Sequence, residues 1–182
     1  MTEFALHSAE TAPEAARPIL NSVQKGYGFV PNLMRVMANS PETLEAYTTL
    51  MGLFERTSFD KVEKEVILLA VSQENACHYC LAAHSTVAAM KGVSQDVIDA
   101  IRGDKPLPDS RLDTIVSLVR SIVGSRGWPD AQLVKRFHDH GYTTQQYLEI
   151  VLAVSMKTLS NYVNHAADTP LDQAFAAQAQ AA

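Results

Sequence analysis

Apolar residues recur along this chain at intervals of three or four, which is the spacing of one face of an α-helix. The clearest stretch runs from about Ser110 to Ser125. Its apolar positions are Leu112, Ile115, Val116, Val119, Ile122 and Val123. No segment alternates apolar and polar residues over a useful length, as a half-buried β-strand would. The pattern therefore predicts an all-α protein.

Helix start signals divide the pattern into about seven to eight helices. The pair Ser40-Pro41 is typical of a helix N-terminus, because the serine can cap the helix and the proline fits its first turn. Asp60 with Glu63, and Thr143 with Gln146, have the spacing of a capping box, in which two side chains satisfy each other's backbone N–H groups. We therefore expect helices to begin after Asp60 and after Thr143.

The predicted helix from about Lys61 to Asn75 is apolar on nearly all sides, so we expect it to be central. The next helix starts near Cys77 and ends at Gly92, a residue that closes helices readily in the left-handed conformation. At 182 residues the chain is long enough to form one domain around a substantial core. We expect the core that carries the motif to span about 41–165, and 1–12 and 168–182 to be peripheral.

Charge and hydropathy limit the classes of partner. Fifteen Lys and Arg residues against twenty Asp and Glu give a net charge of −5 without a basic stripe, so we expect no nucleic-acid partner. The longest apolar run, Val66–Val71, is far shorter than the roughly 18–20 residues that cross a bilayer. The N-terminus lacks the features of a secretory signal, so we expect a cytoplasmic protein without a membrane segment. Its many apolar helices favour a homo-oligomer.

The two cysteines of the chain form a Cys-x-x-Cys pair, Cys77-His78-Tyr79-Cys80. In the cytoplasm such a pair is expected to cycle between thiol and disulfide, or to hold a metal. Unpaired N–H groups and the helix dipole at a helix N-terminus stabilise a thiolate. On this ground alone Cys77, nearer the helix end, is the candidate for the first nucleophile.

His84 and Glu65 are the candidate proton-transfer partners of the cysteines. At about 100° per residue, Cys77 and His84 lie within some 20° of each other around the helix and Cys80 about 60° away, so all three share a face. If the preceding helix packs antiparallel, Glu65 and His84 reach a similar depth. A carboxylate there would orient the imidazole, which makes a proton relay through the four residues plausible.

The spacing Glu-x11-Cys-x2-Cys-x3-His, from Glu65 to His84, resembles the alkylhydroperoxidase D family, within the all-helical and usually oligomeric carboxymuconolactone decarboxylase superfamily. The resemblance implies a cofactor-free dithiol peroxidase. Cys80 would attack a hydroperoxide, Cys77 would resolve the product to a disulfide, and Glu65 and His84 would relay protons. An external thiol or dithiol would restore the pair. Some members have a second histidine immediately before the second cysteine, where this chain has Tyr79.

Other interpretations of the same residues remain open. Buried cysteines can be purely structural. Cys77, Cys80 and His84 offer three zinc ligands, but a closed structural site needs four, so no metal is expected. A decarboxylase- or isomerase-like enzyme would use His84 and Glu65 as acid and base without a redox step. A non-enzymatic redox sensor or adaptor would instead change its assembly on oxidation.

Residues outside the motif are mostly expected to be structural. Glu65 itself could be an exposed first-turn carboxylate that complements the helix dipole. Tyr47, Met51 and Phe54 have the spacing of core residues, although in an oligomer they could line a substrate pocket. Tyr162 and His165, in the long last helix, are expected to be structural, although they could face the site.

Overall fold

The computed structural model describes residues 4–179, so the outermost residues of both predicted peripheral segments lie outside the described residues. Residues 4–179 form nine α-helices, eight of them with at least eight residues, and no β-strand. The helices are α1 (Arg17–Tyr27), α2 (Asn32–Met37), α3 (Pro41–Glu55), α4 (Lys61–Glu74), α5 (His78–Met90), α6 (Gln95–Arg102), α7 (Ser110–Gly124), α8 (Ala131–Asp139) and α9 (Thr144–Ala167). Short 3-10 helices span Glu14–Ala16 and Gln173–Gln178. The prediction of an all-α fold is confirmed.

The predicted helix caps are present. The Ser40 hydroxyl accepts the backbone N–H of Thr43 at 3.3 Å, at the start of α3. Both capping boxes form, with Asp60 as the N-cap of α4 and Thr143 as the N-cap of α9. Caps of this kind each stabilise a helix by about 1 kcal/mol, so local sequence determines where α4 and α9 begin.

Helix α4 is the centre of the fold. It is buried without interruption from Glu65 to Ser72, and it packs against α5, α6, α7 and α9. Burial on all sides follows from its continuous apolar run, because a helix with no polar face must be surrounded by other elements. The expectation of a central helix at this position is confirmed.

The turn between α4 and α5 places Cys77 at the start of the helix that carries Cys80. Ala76 adopts a left-handed conformation with φ 50°. Its N–H donates to the carbonyl of Gln73 at 2.9 Å, and the N–H of Cys77 donates to the carbonyl of Ser72, also at 2.9 Å. This is the Schellman closure of a helix, with alanine where glycine is usual. Cys77 then serves at once as the N-cap of α5, so the chain reverses between the two helices within three residues.

The C-terminal residues 169–179, here called the C-terminal strap, are mostly exposed but are held against the helices by specific contacts. Asp168 reverses the chain after α9 with φ 44°, and the strap then packs along α5. The Asp172 carboxylate accepts the Asn32 backbone N–H at 3.1 Å and the Tyr79 hydroxyl, while the Asn32 amide donates to the Pro170 carbonyl at 3.0 Å. Composition alone could not reveal this position, because these contacts join residues far apart in the chain.

None of the helices in the described part of the chain has both the length and the apolar character required to cross a membrane.

Candidate active site

Both cysteines are buried free thiols at the amino end of α5. Cys77 is the N-cap residue, and Cys80 follows in the first helical turn. The side-chain amide of Asn164, on α9, lies over the pair: its nitrogen is 3.1 Å from the Cys80 sulfur and 3.8 Å from the Cys77 sulfur. The structure therefore brings the two cysteines together beneath α9.

A cavity of about 480 Å³ lies beside Cys80. Cys80, His84, Glu65 and Lys157 contribute to its lining, whereas Cys77 does not. Most of the remaining wall is apolar or aromatic. Among these wall residues are Phe29, Tyr47, Met51, Phe54, Tyr79 and Phe175. Of the two cysteines, Cys80 is thus the one that a small molecule in the cavity can reach.

Glu65 and His84 meet as expected from an antiparallel pair of helices. The Nδ1 atom of His84 lies 3.4 Å from Oε2 of Glu65, and Lys91 binds the other carboxylate oxygen at 2.7 Å. Glu65 is only 1% exposed, so the alternative of an exposed first-turn carboxylate is wrong. Burial raises the pKa of Glu65, but the hydrogen bond with His84 and the Lys91 ammonium outweigh it, and the net pKa is lowered.

Lys157 on α9 contacts the other side of the His84 ring. Its Nζ atom lies 2.9 Å from Nε2 of His84. An ammonium group has only donors, so Nε2 must accept and the imidazole proton must reside on Nδ1, facing Glu65. Burial and the Lys157 charge both lower the pKa of His84, in agreement with a neutral ring.

The two cysteines differ in acidity. Burial raises the pKa of Cys80, but the hydrogen bond with Cys77 and the Lys157 ammonium outweigh burial, and the pKa lies well below its ordinary value. For Cys77 the hydrogen bond to Cys80, followed by burial, raises the pKa. The helix end alone favours Cys77 as the more acidic thiol. Cys80 is the more acidic one because its sulfur accepts the Cys77 hydrogen bond and lies near the Lys157 ammonium.

Three site residues on α9 were missed in the sequence: Lys157, Asn161 and Asn164. All three are buried. Their spacing of four and three places them on one face, and polar residues at helical spacing inside an apolar helix are a signal that could have found them. The residues named instead on this helix, Tyr162 and His165, are exposed and do not line the cavity.

Comparison with known proteins agrees with this fold and motif. Residues 41–105, which include the whole Glu65 to His84 motif, match the carboxymuconolactone decarboxylase family model. A crystal structure described as an alkylhydroperoxidase AhpD core, a peroxidase-related protein from Ralstonia eutropha JMP134, superposes with a TM-score of 0.84 at 20% identity, covering 95% of this chain and 93% of that one. Residues 41–105 are thus similar to the carboxymuconolactone decarboxylase family, and the chain as a whole has the fold of the alkylhydroperoxidase AhpD core structure.

Two further proteins are similar to this chain. The debrominase Bmp8, in a cysteine-to-alanine variant bound to 2,3,4-tribromopyrrole, superposes with a TM-score of 0.82 at 18% identity, covering 98% of this chain and 96% of that one. The uncharacterized protein YdfG of Bacillus subtilis is 26% identical over 133 residues, 71% of this chain and 82% of YdfG. The fold is therefore associated with more than one activity.

Tyr79 occupies the place where some alkylhydroperoxidase D proteins have a second histidine. Its hydroxyl donates to Asp172 and accepts the backbone N–H of Leu33 at 3.3 Å. Burial, followed by the Asp172 hydrogen bond, raises the pKa of this phenol. Tyr79 therefore anchors the C-terminal strap to α5 rather than exchanging protons with the cysteines.

The described residues contain no group of three or more His, Cys, Asp or Glu side chains arranged to hold a metal ion. The groups that the site does present are a dithiol, a carboxylate–imidazole pair and a buried ammonium. Together they can supply a nucleophile, a second thiol and a source of protons.

Proposed function

We propose that this protein is a cofactor-free dithiol peroxidase that reduces an organic hydroperoxide at Cys80. The observation that chiefly supports the proposal is the position of Cys80, which lines the cavity while its lowered pKa favours the thiolate. A thiolate, not a thiol, is the nucleophile in such reactions. Cys77 lies behind Cys80, away from the cavity, where a resolving thiol is needed.

In the proposed reaction the Cys80 thiolate attacks the terminal oxygen of the hydroperoxide. The O–O bond breaks, Cys80 becomes a sulfenic acid, and the leaving alkoxide takes a proton to become an alcohol. The Cys77 thiol then attacks the Cys80 sulfur, forming the disulfide and releasing water. Glu65 and His84 position the group that supplies the proton to the alkoxide. An external thiol or dithiol supplies the two electrons and two protons that restore the pair, which fits a cytoplasmic location.

The size and lining of the cavity favour an organic substrate over hydrogen peroxide. Hydrogen peroxide would leave most of a volume of about 480 Å³ unfilled. Apolar and aromatic walls bind an alkyl or aryl group by removing it from water, and this gives the substrate affinity that a bare peroxide group lacks. We expect hydroperoxides with a bulky apolar group to react faster than hydrogen peroxide.

A second candidate activity is the reductive dehalogenation of a small halogenated aromatic compound. The aromatic wall residues, such as Tyr47 and Phe175, favour a flat apolar ligand beside Cys80. The Cys80 thiolate would take the halogen as a sulfenyl halide while the ring carbon takes a proton. Attack by Cys77 would then release halide and form the same disulfide. Similarity in fold to a debrominase adds support.

The test is a turnover assay on the reduced protein with dithiothreitol as reductant. Cumene hydroperoxide, hydrogen peroxide and 2,3,4-tribromopyrrole are compared by peroxide consumption and bromide release. We expect cumene hydroperoxide to be consumed fastest and Cys80→Ser to abolish the reaction. Bromide release without peroxide consumption would support the second candidate.

Two further outcomes would contradict both redox activities. If the reduced protein consumes none of the three compounds, both the peroxidase and the dehalogenase proposals are contradicted. Activity that survives alkylation of both cysteines would instead support acid–base chemistry by His84 and Glu65. A change in oligomer size on oxidation, without turnover, would support the redox-sensor alternative.

A further inference from the structure

Lys157 is a buried cation beside the proposed nucleophile. It is 1% exposed, and it contributes to the lining of the same cavity as Cys80. A buried ammonium is costly unless a negative charge or strong acceptors lie close by. The two carboxylates that line this cavity, Glu55 and Glu65, both pair with Lys91, at 3.6 and 2.7 Å, and Glu65 faces the opposite side of the His84 ring. The Cys80 thiolate is thus the anion available to balance Lys157.

The contact between Lys157 and His84 fixes which group can donate a proton into the cavity. Because Nε2 of His84 accepts a hydrogen bond from Lys157 at 2.9 Å, that nitrogen carries no proton. The ring proton lies on Nδ1 and is directed at Glu65. The imidazole therefore has no proton to give to a leaving group near Cys80, whereas the ammonium has three.

A second α9 side chain, the amide of Asn164, contacts the Cys80 sulfur. Asn164 donates to the Cys80 sulfur at 3.1 Å, and its carbonyl oxygen is buried without a hydrogen-bond partner in the described part of the chain. An amide that gives its N–H to a sulfur while its own oxygen stays unpaired is best explained by a negative charge on that sulfur.

We propose that Lys157 is the general acid of the reaction, protonating the leaving oxygen of the hydroperoxide, and that His84 with Glu65 positions it. This proposal rests on the peroxidase function proposed above. It assigns a catalytic role to a residue that lies outside the Glu65 to His84 motif and 73 positions beyond His84.

The protons and electrons balance through Lys157. Cys80 thiolate attacks R–O–O–H, giving Cys80 sulfenic acid and R–O⁻, and the Lys157 ammonium gives R–O⁻ a proton to form R–OH. The Cys77 thiol then attacks the sulfenic sulfur, and the thiol proton leaves with the hydroxyl group as water. Reduction by an external dithiol returns two protons, one to the Cys77 sulfur and one to Lys157. The reduced site again contains a thiolate and an ammonium.

Any test must separate the effect of Lys157 on the rate from the effects of the other titratable groups around Cys80. They come from four helices: Tyr47 on α3, Glu65 on α4, Cys77, Tyr79 and His84 on α5, and Lys157 on α9. A pH profile alone would mix their effects. The leaving group of the substrate separates them, because a general acid matters for a strongly basic leaving oxygen and hardly at all for a weakly basic one.

The experiment compares cumene hydroperoxide, which releases an alkoxide, with perbenzoic acid, which releases a carboxylate. Rates are measured for wild type, Lys157→Met and Lys157→Arg, at a pH where iodoacetamide labelling and mass mapping find Cys80 fully ionised. For Lys157→Met we expect a loss of about 100-fold or more with cumene hydroperoxide, in the range of general acid catalysis, and a much smaller loss with perbenzoic acid. Lys135→Met, on the exposed surface of α8, is the matched control.

Lys157→Arg separates charge from proton donation. Arginine stays protonated in proteins, so it can balance the thiolate but cannot act as the acid. We expect its iodoacetamide profile to resemble wild type while the loss with cumene hydroperoxide persists. For Lys157→Met we expect the Cys80 labelling profile to move to higher pH, and this readout needs no peroxide.

The outcomes distinguish the two proposals. An equal loss with both peroxides, or no loss with either, would overturn the role of Lys157 as the acid while leaving the peroxidase intact. An unchanged labelling profile in Lys157→Met would overturn its pairing with Cys80. A wild-type protein that consumes neither peroxide would instead overturn the proposed function.

Discussion

Cys77 and Cys80 lie one helical turn apart, yet their pKa values move in opposite directions. The cause is the set of neighbours: the Cys80 sulfur accepts the hydrogen bond that Cys77 donates, and it lies near the Lys157 ammonium and the Asn164 amide. A helix N-terminus therefore does not decide which cysteine of a Cys-x-x-Cys pair is the thiolate. In this site the Cys77 hydrogen bond and the groups on the opposing helix α9 make that choice.

Asn164 provides a direct test of this view at the scale of one residue. Hydrogen bonds to charged groups contribute about 1.5–3 kcal/mol. Because about 1.4 kcal/mol corresponds to one pKa unit, Asn164→Leu is expected to shift the pH midpoint of Cys80 alkylation upward by about one to two units. The measurement is iodoacetamide labelling followed by mass mapping.

The matched control is Asn39→Leu. The Asn39 amide binds the backbone carbonyls of Ala5 and Val36 and contacts no cysteine. Its substitution should leave the midpoint unchanged. If the pH midpoint of Cys80 alkylation is unchanged in Asn164→Leu, the Asn164 amide does not stabilise the thiolate.

The sequence predicted the residues of the site that are close in the chain and not those that are distant. Helical spacing alone put Cys77, Cys80 and His84 on one face, and the antiparallel turn brought Glu65 to them. Lys157 joins the site only through the packing of α9 on α4 and α5, which no local spacing encodes.

At the scale of elements, local signals predicted the helices well because caps and apolar periods are properties of short segments. The capping boxes at Asp60 and Thr143 are examples. The position of the C-terminal strap was not predicted, since its contacts join residues far apart in the chain. Asp172 meets Tyr79 and Asn32, and Arg102 donates to the Gln178 carbonyl at 3.0 Å. Phe175 then completes the cavity wall against Tyr79, with ring centroids 6.1 Å apart.

The strap should therefore open when its anchor is removed. Asp172→Ala leaves the buried Tyr79 hydroxyl and the Asn32 N–H without their acceptor, an expected cost of about 1–3 kcal/mol. We expect faster hydrogen–deuterium exchange in 169–179 and access of larger hydroperoxides to Cys80. Exchange is followed by mass spectrometry.

Gln173→Ala is the matched control for this change, because Gln173 lies on the same segment with its side chain exposed. It should exchange at the wild-type rate. Wild-type exchange in Asp172→Ala would show that the strap is held by other contacts.

At the scale of the whole molecule, the outer face of α9 is apolar. Leu148, Val151 and Tyr162 lie within about 60° of each other around the helix, and Leu148 and Tyr162 are 62% and 61% exposed. Such a stripe favours burial against a second copy of the chain. We propose that α9 forms a self-association surface on the side opposite the active site.

Light scattering tests this surface. The wild-type protein should be an oligomer, with a mass of two or more times 19.9 kDa. Val151→Glu should reduce this mass, because a carboxylate would be buried in an apolar contact. A wild-type protein that is monomeric at micromolar concentrations would contradict the proposed self-association surface.

The most direct test of the central claim is to trap the first oxidised sulfur. One equivalent of cumene hydroperoxide is added to reduced wild type, Cys77→Ser and Cys80→Ser, followed by a sulfenic-acid probe and mass mapping. We predict a Cys77–Cys80 disulfide in wild type, a trapped sulfenic acid on Cys80 in Cys77→Ser, and no adduct in Cys80→Ser. A sulfenic acid on Cys77 in Cys80→Ser, with none on Cys80 in the other variant, would contradict the assignment of Cys80 as the residue that attacks the peroxide.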